Sequence, residues 1–134
     1  YGTSVAEIKL AYDQNKVAIT DIDVQGVAEY EKLSPCGIAI FIVPPTYQTW
    51  IERLKKRYKT EADFQAEWPK RRQSSIEELK HALEVPYYHV IINDDLERAV
   101  RVCKEIIERG DLFRRKDDEA RLAARNLLND IIKL

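Results

Sequence analysis

The sequence predicts an α/β protein built on a parallel sheet, and three observations carry that expectation. Strand and helix signals alternate three times, with strands expected over residues 17–22, 38–43 and 87–92. The middle run, I-A-I-F-I-V, is apolar at all six positions, the habit of a strand buried on both faces in a parallel sheet. The third strand leads into the clearest amphipathic helix of the chain, as a right-handed crossover unit requires. Three strands are few for so much helix, so further strands are expected from sequence upstream.

In chain order, Ser4 with Glu7 three residues later forms a capping-box pattern, and Val5, Ile8 and Ala11 recur at helical spacing, so a first helix is expected to run to about Gln14. The apolar run over 17–22 follows as a buried strand, and Gly26 opens a short segment that Pro35 and Gly37 close. Pro44-Pro45 ends the second strand, Thr46 caps the next helix, and Trp50 with Leu54 forms an i,i+4 apolar pair on it. Residues 55–80 turn strongly polar, with Tyr58, Phe64, Trp68, Ile76 and Leu79 as the large apolar anchors, and read as a mobile, solvent-facing appendage. Thr60 and Asp63 mark a helix start there, and Pro69 is expected to break or restart that helix. Ile76, Leu79 and Leu83 restore an apolar face before the third strand. Asn93 or Asp94 caps the helix after it, whose Leu96, Ala99, Val100, Cys103, Ile106 and Ile107 form a core stripe ended by Gly110.

Composition excludes several function classes. A length of 134 residues with 45% hydrophobic and 34% charged residues allows one domain at most. A formal net charge of -1 offers no global field for nucleic acid or an acidic membrane, the local cluster Lys70, Arg71 and Arg72 notwithstanding. Cys36 and Cys103 make neither a disulfide framework nor a metal pattern and imply reduced thiols in a cytoplasmic protein. No segment approaches the roughly 18 apolar residues of a membrane span. His81 and His89 stand without partners at metal-ligand spacing. The sequence has no methionine, even at position 1, and reads as a fragment.

The most informative stretch is V-A-I-T-D-I-D-V-Q-G at 17–26, where an apolar run meets two carboxylates two positions apart. On a strand Asp21 and Asp23 share a face, and carboxylates at the edge of an apolar core call for a cation, a donor-rich ligand or a basic side chain. The plainer alternative is that each bonds to neighbouring backbone N–H groups. Ligands of open parallel sheets bind beyond the carboxyl ends of the strands, where Asp21, Asp23, Asn93 and Asp94 are all expected.

D-I-D-V-Q-G at 21–26, F-I-V-P-P at 41–45, K-R at 70–71 followed by E-E-L at 77–79, and I-I-N-D-D-L-E-R-A-V at 91–100 stand in the order and approximate spacing of guanylate kinases. From residue 1 to about 112 the chain resembles the C-terminal portion of that family. The resemblance implies a P-loop kinase core, partial here, with a helical lid at about 55–83 and a C-terminal helical extension at 114–134 beyond the kinase-like region 1–113. It implies transfer of the γ-phosphoryl of ATP, with Mg2+, to GMP, giving ADP and GDP. By position, Tyr1 matches a tyrosine that bonds the GMP phosphate and Thr3 a hydroxyl residue that reaches the guanine. Asp21 matches a carboxylate on the GMP and magnesium side, and Asp23 belongs to the same motif. Arg71 matches a lid arginine on the transferring phosphates, Arg57 a second one, and Asn93 and Asp94 a loop bordering the adenine.

The chain also departs from the family. Family lids read R-G-T where Arg57 is followed by Tyr58 and Lys59, and Pro69 implies a kinked lid or a different closing path. No G-x-x-x-x-G-K-[ST] occurs, so the chain alone is expected to be inactive. A guanylate-kinase-like module that binds partner peptides, or a related kinase with another acceptor, are the other readings. In the tail, Asp117 or Asp118 caps a helix whose Ala120, Ala124, Leu127, Leu128, Ile131 and Leu134 share one stripe. That stripe either packs back onto the domain or forms a partner or homo-oligomer seam.

Overall fold

The computed structural model describes residues 4–33, 37–109 and 114–134. Tyr1, Thr3, Pro35, Cys36 and Gly110, each given a role by the sequence, lie outside them. The chain divides into two compact units, Tyr1–Gly37 and Ile38–Leu134.

In the first unit, α1 (Val5–Asp13) starts as expected. Ser4 accepts from the Glu7 N–H while Glu7 accepts from the Ser4 N–H, a complete capping box. The strand expected over 17–22 does not form. Those residues have no regular structure, and Val17 and Ile19 are 70% and 85% exposed rather than buried. A strand needs a neighbouring edge for its N–H and C=O groups, and among the described residues no strand pairs with this segment. The segment opened by Gly26 is instead a helix, α2 (Val24–Leu33).

The second unit holds a two-stranded parallel sheet, β1 (Ala39–Val43) beside β2 (Tyr88–Ile92), rather than the three strands expected. The register pairs Phe41 with Val90 and Val43 with Ile92. Phe41, Val43, Val90 and Ile92 meet the main core, whereas Ile40 and Ile91 face a smaller one. Helix α5 (Leu96–Arg109) covers the smaller side through Ala99 and Ile106. Its cover reaches Ile40 but not Ile42, which is 57% exposed, so β1 is not buried on both faces. Half of the α5 stripe is likewise open: Leu96, Val100 and Ile107 are exposed. The cap of α5 is Asp95, which accepts from the Arg98 N–H at 2.8 Å, not Asn93 or Asp94.

Between the strands run α3 (Tyr47–Lys55), capped by Thr46 as expected, and α4 (Glu61–Glu84), capped by the Thr60–Asp63 box. Helix α4 continues unbroken through Pro69. A mid-helix proline costs about 3 kcal/mol or more. On the N-terminal side of it, Phe64 stacks on Tyr58 and Trp68, and Trp68 on Trp50, at centroid distances of 5.4–5.7 Å. Each ring pair contributes about 0.5–1.5 kcal/mol beyond its burial, so three together offset most of the break. The polar stretch is therefore no loose appendage: Phe64, Leu79 and Ala82 are buried.

The last helix, α6 (Arg114–Ile132), begins before the expected caps and buries its stripe in its own domain. Ala120, Ala124, Leu127 and Ile131 pack on Val43, Leu79 and Val90, leaving Leu134 exposed. The seam suggested for a homo-oligomer is thus consumed within the domain. Asp117 is not a cap. Its Oδ1 accepts from the Val90 N–H at 2.7 Å, while Arg121 donates to the Tyr88 carbonyl at 2.7 Å and to Asp117 Oδ2 at 2.7 Å. This i,i+4 pair presents an acceptor and a donor to the outer edge of β2, as a neighbouring strand would.

Asp117→Ala leaves the N–H of buried Val90 without its acceptor and strips Arg121, only 17% exposed, of its carboxylate partner while its bond to the Tyr88 carbonyl remains. The expected loss is about 2 kcal/mol in urea unfolding, whereas breaking the open Lys104–Glu108 pair by Lys104→Ala changes stability by less than about 0.5 kcal/mol.

Candidate functional site

At the carboxyl end of the sheet the ladder runs one residue past β2, because the Asn93 N–H donates to the Val43 carbonyl at 2.8 Å. That bond sets Asn93 beside Val43 and Pro44. Beyond them lies a cavity of about 300 Å³. Its floor is Ile42, Val43, Pro44, Trp50 and Leu54, and its polar rim is Arg53, Arg57, Arg71, Ser75, Glu78 and Asn93.

Three elements bring the arginines together. Arg53 lies in the last turn of α3 and Arg57 in the turn that follows, where its N–H donates to the Leu54 carbonyl at 3.0 Å. Arg71 comes from α4, two residues after Pro69. Arg53 also donates to the Asn93 carbonyl at 2.7 Å, tying α3 to the end of β2. Among the described residues, none of the three has a carboxylate within 4.0 Å. Glu78, the one acid among the described rim residues, instead accepts from the Ser74 hydroxyl at 3.0 Å. Three guanidinium groups against one carboxylate give the cavity a net positive charge over an apolar floor. A planar guanidinium matches phosphate oxygens two at a time, so the arrangement suits an anion with several phosphoryl oxygens. Among the described residues no Ser–His, Cys–His or paired-carboxylate constellation lines it; what the arginines there can do is bind an anion and neutralise its charge.

The structure thus gathers Arg57, Arg71 and Asn93 from the sequence-predicted set. Of the two adjacent arginines, exposed Arg71 lines the cavity and Arg72 turns to α6. Asp94 is absent from the cavity lining. It pairs with Arg98 at 2.9 Å, and the Asp95 N–H with that guanidinium holds its carboxyl below the usual aspartate range. Asp21 and Asp23 belong to the first unit, where both are exposed. Asp23 Oδ1 accepts from the Gly26 N–H at 2.8 Å and caps α2, the plainer alternative for that residue. Among the described residues no group of three or more His, Cys, Asp or Glu could hold a metal ion. Sequence reasoning missed Arg53, although its i,i+4 spacing to Arg57 was a signal that both share one side of the chain.

A parallel pair of strands with a cationic cavity beyond their carboxyl ends is the arrangement of an α/β domain, with charge suited to an anionic ligand. Comparison with known proteins is more specific: residues 1–110 match the guanylate kinase family model, and the chain belongs to that family. It is 35% identical over 109 residues to a guanylate kinase of Bdellovibrio bacteriovorus, covering 81% of this chain and 56% of that protein. A guanylate kinase of Caldanaerobacter subterraneus is 35% identical over 119 residues, covering 87% and 55%. One of Chlamydia pneumoniae is 39% identical over 106 residues, covering 79% and 49%. The chain therefore spans about half the length of the curated relatives it matches. No solved structure matches it significantly.

If the unpaired arginines take phosphoryl oxygens, inorganic pyrophosphate binds the cavity and perturbs the fluorescence of Trp50 in its floor. Arg57→Ala and Arg71→Ala each weaken that binding about tenfold, the loss of a charge-assisted hydrogen bond, while Arg125→Ala on the exposed side of α6 leaves it unchanged.

Proposed function

We propose that the protein carrying this chain is a guanylate kinase, which transfers the γ-phosphoryl group of ATP to GMP and yields ADP and GDP. The observation that supports this most is the convergence of Arg53, Arg57 and Arg71, without carboxylate partners, on one cavity at the strand ends of a guanylate kinase family chain. Phosphoryl transfer is chiefly a matter of positioning and charge neutralisation. Guanidinium groups over the transferring phosphoryl supply both, and the apolar floor limits water around it.

In this reading residues 55–83 form the lid and Arg57 and Arg71 act on the transferring phosphates. Asn93 and Asp94 border the adenine, and the backbone of Asn93 is steadied by Arg53. Tyr1, Thr3, Asp21 and Asp23 belong to the GMP side. Magnesium enters chelated to the ATP phosphates, which commonly need only one or two protein carboxylates; Asp21 is the residue to provide one. The core is that of a P-loop kinase, and since these 134 residues contain no G-x-x-x-x-G-K-[ST], the cradle for the ATP phosphates comes from another part of the protein. Among the described residues no helix is long and apolar enough to cross a membrane. The two cysteines, which form no disulfide framework in the sequence, suit a reducing compartment, and we place the enzyme in the cytoplasm.

The test is a coupled ADP-release assay on the full-length gene product with ATP, magnesium and GMP. Turnover with GMP is expected, and Arg71→Ala lowers kcat at least tenfold, about 1.4 kcal/mol of transition-state stabilisation. Near-normal kcat in that variant removes Arg71 from the site. Turnover only with a different nucleoside monophosphate identifies another acceptor, and GMP binding without turnover identifies a binding module.

A further inference from the structure

Two adjacent arginines of α4 point to different places. Arg71 lines the cavity, whereas the half-buried Arg72 donates from Nε to the Ile131 carbonyl at 3.1 Å and from Nη2 to the Ile132 carbonyl at 3.2 Å. These carbonyls end α6, where the last four lack intrahelical donors and the helix dipole is negative. Ile131 itself is fully buried, so Arg72 holds a fixed point. The other end of α6 is bound to β2 through Asp117 and Arg121. Helix α6 thus links the strand that leads into Asn93 to the helix that carries Arg71, two walls of one cavity.

The linkage matters because of Pro69. A proline has no N–H for the carbonyl four residues back and marks the place where a helix bends. The aromatic contacts at Phe64 and Trp68 secure α4 only on the N-terminal side of that point. Past it, the direction of the segment bearing Arg71 is set by packing of Ile76, Leu79 and Leu83 on the core that α6 completes, and by Arg72. We propose that Arg72 is a positioning residue, which through the C-terminal end of α6 holds Arg71 over the strand ends for phosphate binding. Both partners of this lock on α6 lie beyond residues 1–110, the part that matches the family model. The inference rests on the cavity being a phosphate site.

The experiment is titration of the full-length protein with inorganic pyrophosphate, followed by tryptophan fluorescence, alongside thermal unfolding. Arg72→Met keeps the aliphatic stem and removes the donors; it is expected to raise the Kd about fivefold. In an Arg71→Ala background the same change is expected to have no further effect on affinity, because Arg72 acts through Arg71. A residue that served stability alone would lower Tm without this coupling. Arg72→Lys, whose single ammonium donates with less fixed geometry, falls between the two and carries the test if Arg72→Met does not fold. Wild-type affinity in either variant overturns the positioning role while leaving the phosphate site intact. Pyrophosphate binding that Arg57→Ala and Arg71→Ala do not weaken overturns the phosphate site itself, and the positioning role with it.

Discussion

The parallel pairing of β1 and β2 is the constraint on which the second unit depends. In-register pairing from Ala39–Tyr88 to Val43–Ile92 makes both strands end at the same level, and the Asn93 N–H to Val43 carbonyl bond carries that alignment one step further. A slip of one residue would exchange the two faces. Were β2 to slip, Val90 would leave the main core, and Asn93 would no longer stand where Arg53 reaches its carbonyl. The cavity is a consequence of two strands ending together between α3 and α4.

A two-stranded sheet is marginal by itself, and α6 compensates in two ways. Its Ala120, Ala124, Leu127 and Ile131 fill the main core, small residues near its start permitting close approach to the sheet and larger ones filling space toward its end. Its Asp117–Arg121 pair then satisfies the outer edge of β2, which would otherwise present unpaired backbone groups. The edge of β1 has no such partner among the described residues, and exposed Ile38 and Ile42 lie along that strand and just before it. The two edges of one small sheet are therefore treated differently: one is closed by side chains of the same chain, and the other keeps its backbone groups and apolar side chains available.

Features decided within a few residues were legible in the sequence. The capping boxes at Ser4 and Thr60, the Thr46 cap and the strands ending at Val43 and Ile92 follow from local chemistry. Features that depend on a distant partner were not. The run over 17–22 has the composition of a strand but no neighbouring edge among the described residues. Pro69 was read as a break because a proline's cost is local, whereas the aromatic contacts that offset it join residues 50, 64 and 68 across two helices. The α5 stripe was legible as a stripe, but only Ala99 and Ile106 of its six residues find full cover in this unit. At the site, Arg57, Arg71 and Asn93 came from a resemblance of motifs, while Arg53, marked in the sequence by no more than its i,i+4 spacing to Arg57, is tied to the site by a bond to a residue 40 positions away.

The charge pattern of the second unit separates structural arginines from available ones. Arg98 and Arg121 each have an aspartate four residues back, just ahead of the helix for Arg98 and on the same helix for Arg121, and Arg72 has the terminal carbonyls of α6. Arg57 and Arg71 have neither, although Glu78 stands on the same rim as Arg71, i,i+7 along α4. Ser74, four residues before Glu78, takes up one of its oxygens. A carboxylate engaged along its own helix competes less with an incoming anion for the guanidinium groups. The site stays cationic because the acid nearest to it is already occupied, and an arginine held without a counter-ion retains its full charge for a ligand that brings several negative oxygens at once.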